Sequence, residues 1–290
     1  MNQSIDITLH LGAHKTASSH LQRSILDHEE ALITFGTRVY GPPHFRNRGR
    51  SIPTLFGLRP WGNRKLTRRE PEDQLRFMAK GDPRVFLTEE NFLGPLLNAE
   101  GGLSLPLYGE AALRIQALAD AVPNAKLRVA LAIREPHSFL GSAYSQALFA
   151  GRILQPDEFI AANAPADVDW LRLCREIAGV AELAELIVWR YEDYGLLLPT
   201  IVDELLGRGA SDIVQAHPKA LHTGLSRDAH QRVIELAGGD FENLAMTARH
   251  ELPIGPDNPP FRLFAHPDTS AYQRQVEAIR ALPNVRFLEP

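Results

Sequence analysis

The residues able to do chemistry fall into a few groups. In the segment "GAHKTASSHLQ", Lys15 is followed by Thr16, Ala17, Ser18 and Ser19. A lysine and small hydroxyl residues at a helix start present an ammonium, hydroxyls and unpaired backbone N–H groups, the makings of an anion cradle. In "IREPHSFLGSAYSQ", Arg134 is followed by Ser142. A guanidinium grips a phosphate through two parallel hydrogen bonds, and a hydroxyl adds a third. In "RVFLTEENFLG", Glu89 and Glu90 are carboxylates able to take a proton, and His14 and His20 flank the first segment as alternatives. Binding an anionic group at two places and moving a proton between them is the chemistry these residues suggest.

The elements that position them read as short apolar strands alternating with helices. Strands are predicted at about 5–11, 84–88, 127–133 and 185–189. Amphipathic or apolar helical patterns follow each, including 135–150, with Ser142 about two turns in. This alternation predicts an α/β, three-layer sandwich around a parallel central sheet, with residues 1–290 as one domain. Lys15, Glu90 and Arg134 then all follow the carboxyl ends of strands, where open α/β sheets bind ligands. The stretch 41–70 is read as an irregular loop inserted at that edge. It holds eight basic residues (Arg46, Arg48, Arg50, Arg59, Arg64, Lys65, Arg68 and Arg69) and no acid before Glu70.

Bulk properties narrow the class. A net charge of −4 gives no global reason to expect nucleic acid. The single cysteine, Cys174, rules out an intrachain disulfide and a cysteine metal cluster, and it lies in an apolar helical pattern. No apolar run approaches the ~18 residues of a membrane span. The first strand leaves no room for a targeting segment, so a cytoplasmic setting without a transmembrane anchor is expected.

The opening segment departs from the triphosphate pattern G-x-x-x-x-G-K-[ST], because no glycine immediately precedes Lys15. Instead it resembles the 5′-phosphosulfate loop of sulfotransferases that use 3′-phosphoadenosine 5′-phosphosulfate (PAPS). Gly12, His14, Lys15, Thr16, Leu21 and Gln22 match that loop. Ser18 and Ser19 stand where threonines are usual, and Ala17 stands where glycine is usual. Alanine there fits badly if the backbone needs a positive φ. Arg134 and Ser142, eight residues apart, resemble the family's 3′-phosphate motif, with Pro136 and Tyr144 also family-like. "RYEDY" after the fourth strand resembles the family's "RYEDL", with Glu192 and Asp193 expected to cap the next helix.

The resemblance implies a P-loop-like nucleotide-binding core that transfers a sulfuryl group from PAPS to a hydroxyl of a carbohydrate or other polyhydroxylated acceptor, possibly anionic. Lys15, Thr16, Ala17, Ser18 and Ser19 would hold the phosphosulfate, and Arg134 and Ser142 the 3′-phosphate. Lys15 would neutralise the leaving oxygen, so no metal is expected. Glu90, aligned with the acid of the family's "SSEN", would be the base, with Glu89, His14 and His20 as alternatives. A P-loop kinase and a non-catalytic anionic-glycan-binding protein remain the rival readings.

Overall fold

Residue alternation builds two cores from one sheet. In the computed structural model, which describes residues 4–219, 224–237, 243–265 and 267–290, the strands are β1 (Asp6–His10), β2 (Thr37–Tyr40), β3 (Arg84–Thr88), β4 (Lys126–Ile133), β5 (Leu183–Arg190) and β6 (Val285–Phe287). They form one parallel sheet in the order β2-β3-β1-β4-β5-β6. Along β4, Val129, Leu131 and Ile133 enter one hydrophobic cluster while Ala130 and Ala132 enter the other. Successive strand side chains point to opposite faces, so a strand covered on both sides reads as a continuous apolar run.

The helices Ser18–Leu26 and Tyr194–Leu206 cover the alanine face of β4 through Leu21, Ile25, Leu197 and Ile201. The helices Ala111–Ala121, Pro136–Phe149 and Trp170–Ala178 cover the other, through Ile115, Phe139, Tyr144 and Trp170. Helix over sheet over helix is the expected three-layer α/β arrangement. The chain leaves β1 toward one face and β4 toward the other, and these strands are neighbours. Their carboxyl ends therefore bound a crevice at a topological switch point, where open α/β sheets take ligands.

Of the described strands, β6 was not foreseen: three residues give too short a pattern, and it forms by adding to β5. β2 falls on a short extended piece, Arg38–Tyr40. The helix Leu244–Glu251 was likewise not anticipated, because its apolar face is sparse. The sequence also reads as a loop over 209–225, of which residues 220–223 lie outside the described residues.

The stretch 41–70 differs from a solvated loop. Helical turns at Pro42–Phe45 and Ile52–Leu55 bury Phe45, Ile52, Phe56 and Leu58 in the larger core. Thr54 helps fix the segment: its hydroxyl accepts from the Asn63 backbone (3.1 Å), and its carbonyl accepts from Thr67 (2.9 Å). The basic side chains are thus displayed on a packed scaffold.

Candidate functional site

The turn after β1 is forced by close packing. Gly12 has φ +33°, and a Cβ there would lie 2.7 Å from His10 Nε2 and 2.9 Å from Ser18 Cβ. Lys15 (φ 67°) and Ala17 (φ 63°, ψ 15°) are both left-handed. Alternating handedness turns successive N–H groups toward one side, forming an anion-binding nest. Among the described residues none accepts a hydrogen bond from the backbone N–H of Thr16, Ala17, Ser18 or Ser19. The Thr16 hydroxyl does not reach the cleft; it donates to the Ala13 carbonyl at 2.5 Å and is buried. That leaves Ser18 and Ser19 as the hydroxyls of the turn that line the cleft.

Ala17 therefore occupies the conformation that suits it least. The left-handed region costs a non-glycine residue about 1–2 kcal/mol, against about 0.5–1 kcal/mol for glycine's extra backbone entropy. Ala17→Gly is expected to raise unfolding free energy by about 0.5–1 kcal/mol in denaturant titrations without ligand. A loss of stability would contradict the strain.

A cleft of about 770 Å³ opens at the carboxyl ends of β1, β3, β4 and β5. Lys15, Ser18, Ser19, Glu90, Arg134 and Ser142 all line it. Lys15 Nζ donates to Gln146 Oε1 at 3.3 Å. Its pKa is lowered by burial first, then by the charges of Arg134 and Arg249. Arg134 closes the crevice between β1 and β4: Nη1 donates to the Lys15 carbonyl (2.6 Å) and Nε to Ser138 Oγ (2.8 Å). Its guanidinium carbon sits 4.3 Å from the Tyr191 ring centroid. Glu135 caps the helix that carries Ser142, accepting from the N–H groups of His137 (2.9 Å) and Ser138 (2.8 Å).

The two glutamates differ. Glu89 is buried, accepts from the Asn91 N–H, and takes two hydrogen bonds from Arg46, from Nε (3.1 Å) and Nη2 (3.0 Å). Glu90 faces the cleft, with Gln22 Nε2 at 2.8 Å and Arg46 Nη2 at 2.7 Å, one on each oxygen. Burial alone would raise the Glu90 carboxyl, but hydrogen bonds from Gln22 and Arg46 win and hold it below the ordinary value. His14 also faces the cleft, with one ring nitrogen 3.0 Å from Tyr108 Oη and the other 3.2 Å from Asn91 Oδ1. His20 is similarly engaged, by Tyr194 Oη (2.7 Å) and the His217 carbonyl (2.9 Å).

Beneath the turn, His10 stacks between Phe86 (6.1 Å) and Trp189 (5.7 Å), with Nδ1 2.8 Å from Thr88 Oγ1. Gln22 Nε2 also donates to that hydroxyl (3.1 Å), which links His10 to Glu90. Burial pushes the His10 pKa down to about 4. An unfolded histidine titrates near ~6.5, so between these values the unfolded chain binds a proton that the folded chain refuses. This contribution to stability is complete above pH ~6.5 and is lost as pH falls toward 4, by about 1.4 kcal/mol per unit. Burial lowers His230 to about 4 as well, with the same sign. Unfolding free energy measured across this window should therefore fall steeply with acid, and His10→Gln should flatten the slope by about one proton. An unchanged slope in that variant would refute the assignment.

Glu192 and Asp193 do not cap the helix they precede. Glu192 accepts from the Glu135 N–H (2.8 Å) and from Tyr272 Oη (3.0 Å), bracing the Arg134 turn, while Asp193 pairs with Arg190 (2.6 and 2.9 Å). Tyr191, Gln146 and Asn91 escaped sequence reading. The aromatic beside the strand-end arginine was the one available signal, and it was absorbed into "RYEDY".

Among solved structures, the chain is similar to a sulfotransferase from Alicyclobacillus acidocaldarius. The match is 17% identical, covers 75% of this chain and 87% of that one, and has a TM-score of 0.44. No protein-family model and no curated protein matches the chain.

Proposed function

We propose that this protein is a sulfotransferase that moves a sulfuryl group from PAPS to a hydroxyl of a carbohydrate or other polyhydroxylated acceptor. One observation carries the reading. Lys15, Ser18 and Ser19 on one side of the β1/β4 crevice, and Arg134 and Ser142 on the other, line one cleft, which supports two separate anion grips. A donor with phosphate groups at both its 5′ and 3′ positions uses both.

The nucleotide supplies the activated sulfuryl group. The N–H groups of Thr16 to Ser19, with the Ser18 and Ser19 hydroxyls, would bind its 5′-phosphate. Arg134 and Ser142 would bind the 3′-phosphate. Lys15 would neutralise the oxygen that leaves sulfur, as fixed cations do for developing charge. The acceptor oxygen forms the new S–O bond, the S–O bond to the 5′-phosphate breaks, and the acceptor proton passes to Glu90. Glu90 is favoured over Glu89 because it faces the cleft and each of its oxygens keeps a lone pair. Its lowered pKa means that Arg46 must loosen as the proton arrives.

A phosphate-transferring reading would put a magnesium-binding carboxylate at a strand end. The β3 carboxylates, Glu89 and Glu90, are already bonded to Arg46, which favours the sulfuryl reading.

Thermal unfolding with PAP, the desulfated nucleotide, and with ATP–Mg²⁺ distinguishes the two. Ligand at ~100 times its Kd stabilises by about 2.7 kcal/mol, a rise of several degrees in a chain of this size. PAP should give that rise and ATP–Mg²⁺ should not; the reverse would overturn the proposal.

A further inference from the structure

A second cavity, of about 270 Å³, lies between the basic 42–69 segment and the Pro71–Ala79 helix. Arg48, Arg50, Arg68 and Arg69 line it, and among the described residues none of them is in an ion pair. Clustered guanidinium groups without counter-charge raise the local potential and attract anions. The cavity has a built interior as well. Gln74 lines it and is only 4% exposed, yet its side-chain amide has no hydrogen-bond partner among the described residues. The residue is largely buried while its amide atoms stay open to the cavity, so the amide presents a donor and an acceptor to an occupant. Phe77, also in the lining, is 53% exposed and carries the Arg69 guanidinium 3.7 Å from its ring centroid.

Anion-binding guanidinium groups, an amide for hydroxyls and a flat apolar ring together match a charged sugar. A net charge of −4 gives no global reason to expect nucleic acid as the occupant. The same segment also reaches the cleft, because Arg46 bonds Glu89 and Glu90 while Arg48 and Arg50 line the cavity.

We propose that this cavity binds a carboxylated or sulfated oligosaccharide, as an extension of the acceptor whose hydroxyl enters the cleft. The word acceptor rests on the sulfotransfer reading; the binding does not. Calorimetric titration of the full chain with a heparin-derived hexasaccharide, hexagalacturonate, maltohexaose and a single-stranded oligonucleotide tests it. At least one of the two anionic sugars should bind, and comparing them tells sulfate from carboxylate, while maltohexaose should not. Gln74→Leu, and separately the exposed pair Arg48→Ala with Arg68→Ala, should each weaken binding about tenfold, the loss of one charge-assisted or buried hydrogen bond. Arg59→Ala with Arg64→Ala, in the same segment but outside the lining, should change it little. Equal loss in that control, tighter binding of the oligonucleotide, or no binding of either anionic sugar overturns the inference. PAP thermal shifts are measured in parallel. PAP binding without sugar binding overturns this inference and leaves the sulfotransfer reading intact. Sugar binding without PAP binding supports the cavity and overturns the nucleotide reading.

Discussion

Lys15→Ala is expected to lower sulfuryl transfer by about 10²–10³-fold while the protein stays folded. That range is the usual cost of removing one preorganised group that stabilises developing charge. The fold should survive because the Lys15 side chain makes one hydrogen bond, to Gln146, and sits near the like charges of Arg134 and Arg249. Removing a cation from such a cluster does not destabilise it. The left-handed backbone at this position costs alanine no more than it costs lysine. The loss should fall mainly on kcat, because the charge at the leaving oxygen grows only as the S–O bond breaks. In the wild type, the lowered Lys15 pKa means that activity declines on the alkaline side at a lower pH than an ordinary lysine would give. Near-wild-type transfer by the variant would sink the assignment.

Arg134→Lys is expected to weaken PAP binding about 10²-fold, despite the retained charge. Arg134 spends one nitrogen on the Lys15 carbonyl and another on Ser138, and its plane lies on Tyr191. A lysine cannot hold the turn, stack and grip a phosphate at once. Losing charged hydrogen bonds of about 1.5–3 kcal/mol gives the stated factor. Comparison with 5′-AMP separates two roles. A residue that grips the 3′-phosphate should leave AMP affinity much less affected. Equal losses for both nucleotides would show that Arg134 only braces the Lys15 turn.

Much of this site was legible in the sequence because its parts follow strands with strong local patterns. "KLRVALAI" alternates between two cores, so it reads as a buried strand and fixes Arg134 at its end. The poor fit of Ala17 was legible only through the family resemblance, which has glycine at this position, and Ala17 does adopt the left-handed conformation that suits glycine. What escaped reading depends on contacts distant in sequence. Arg46 reaches Glu89 and Glu90 from the far side of a packed segment, so it looked like one charge among eight in a loop. Glu192 looked like a helix cap and instead holds the Glu135 N–H, 57 residues away in sequence. The Thr16 hydroxyl looked available until the turn folded it onto Ala13.

If the proposed function holds, one cleft takes two phosphate groups of one nucleotide. A crystal structure of the protein with PAP tests it most directly. The 5′-phosphate should lie against the N–H groups of Thr16 to Ser19, with Lys15 beside it, and the 3′-phosphate on Arg134 and Ser142. PAP bound elsewhere, or a 3′-phosphate that touches neither Arg134 nor Ser142, would contradict it.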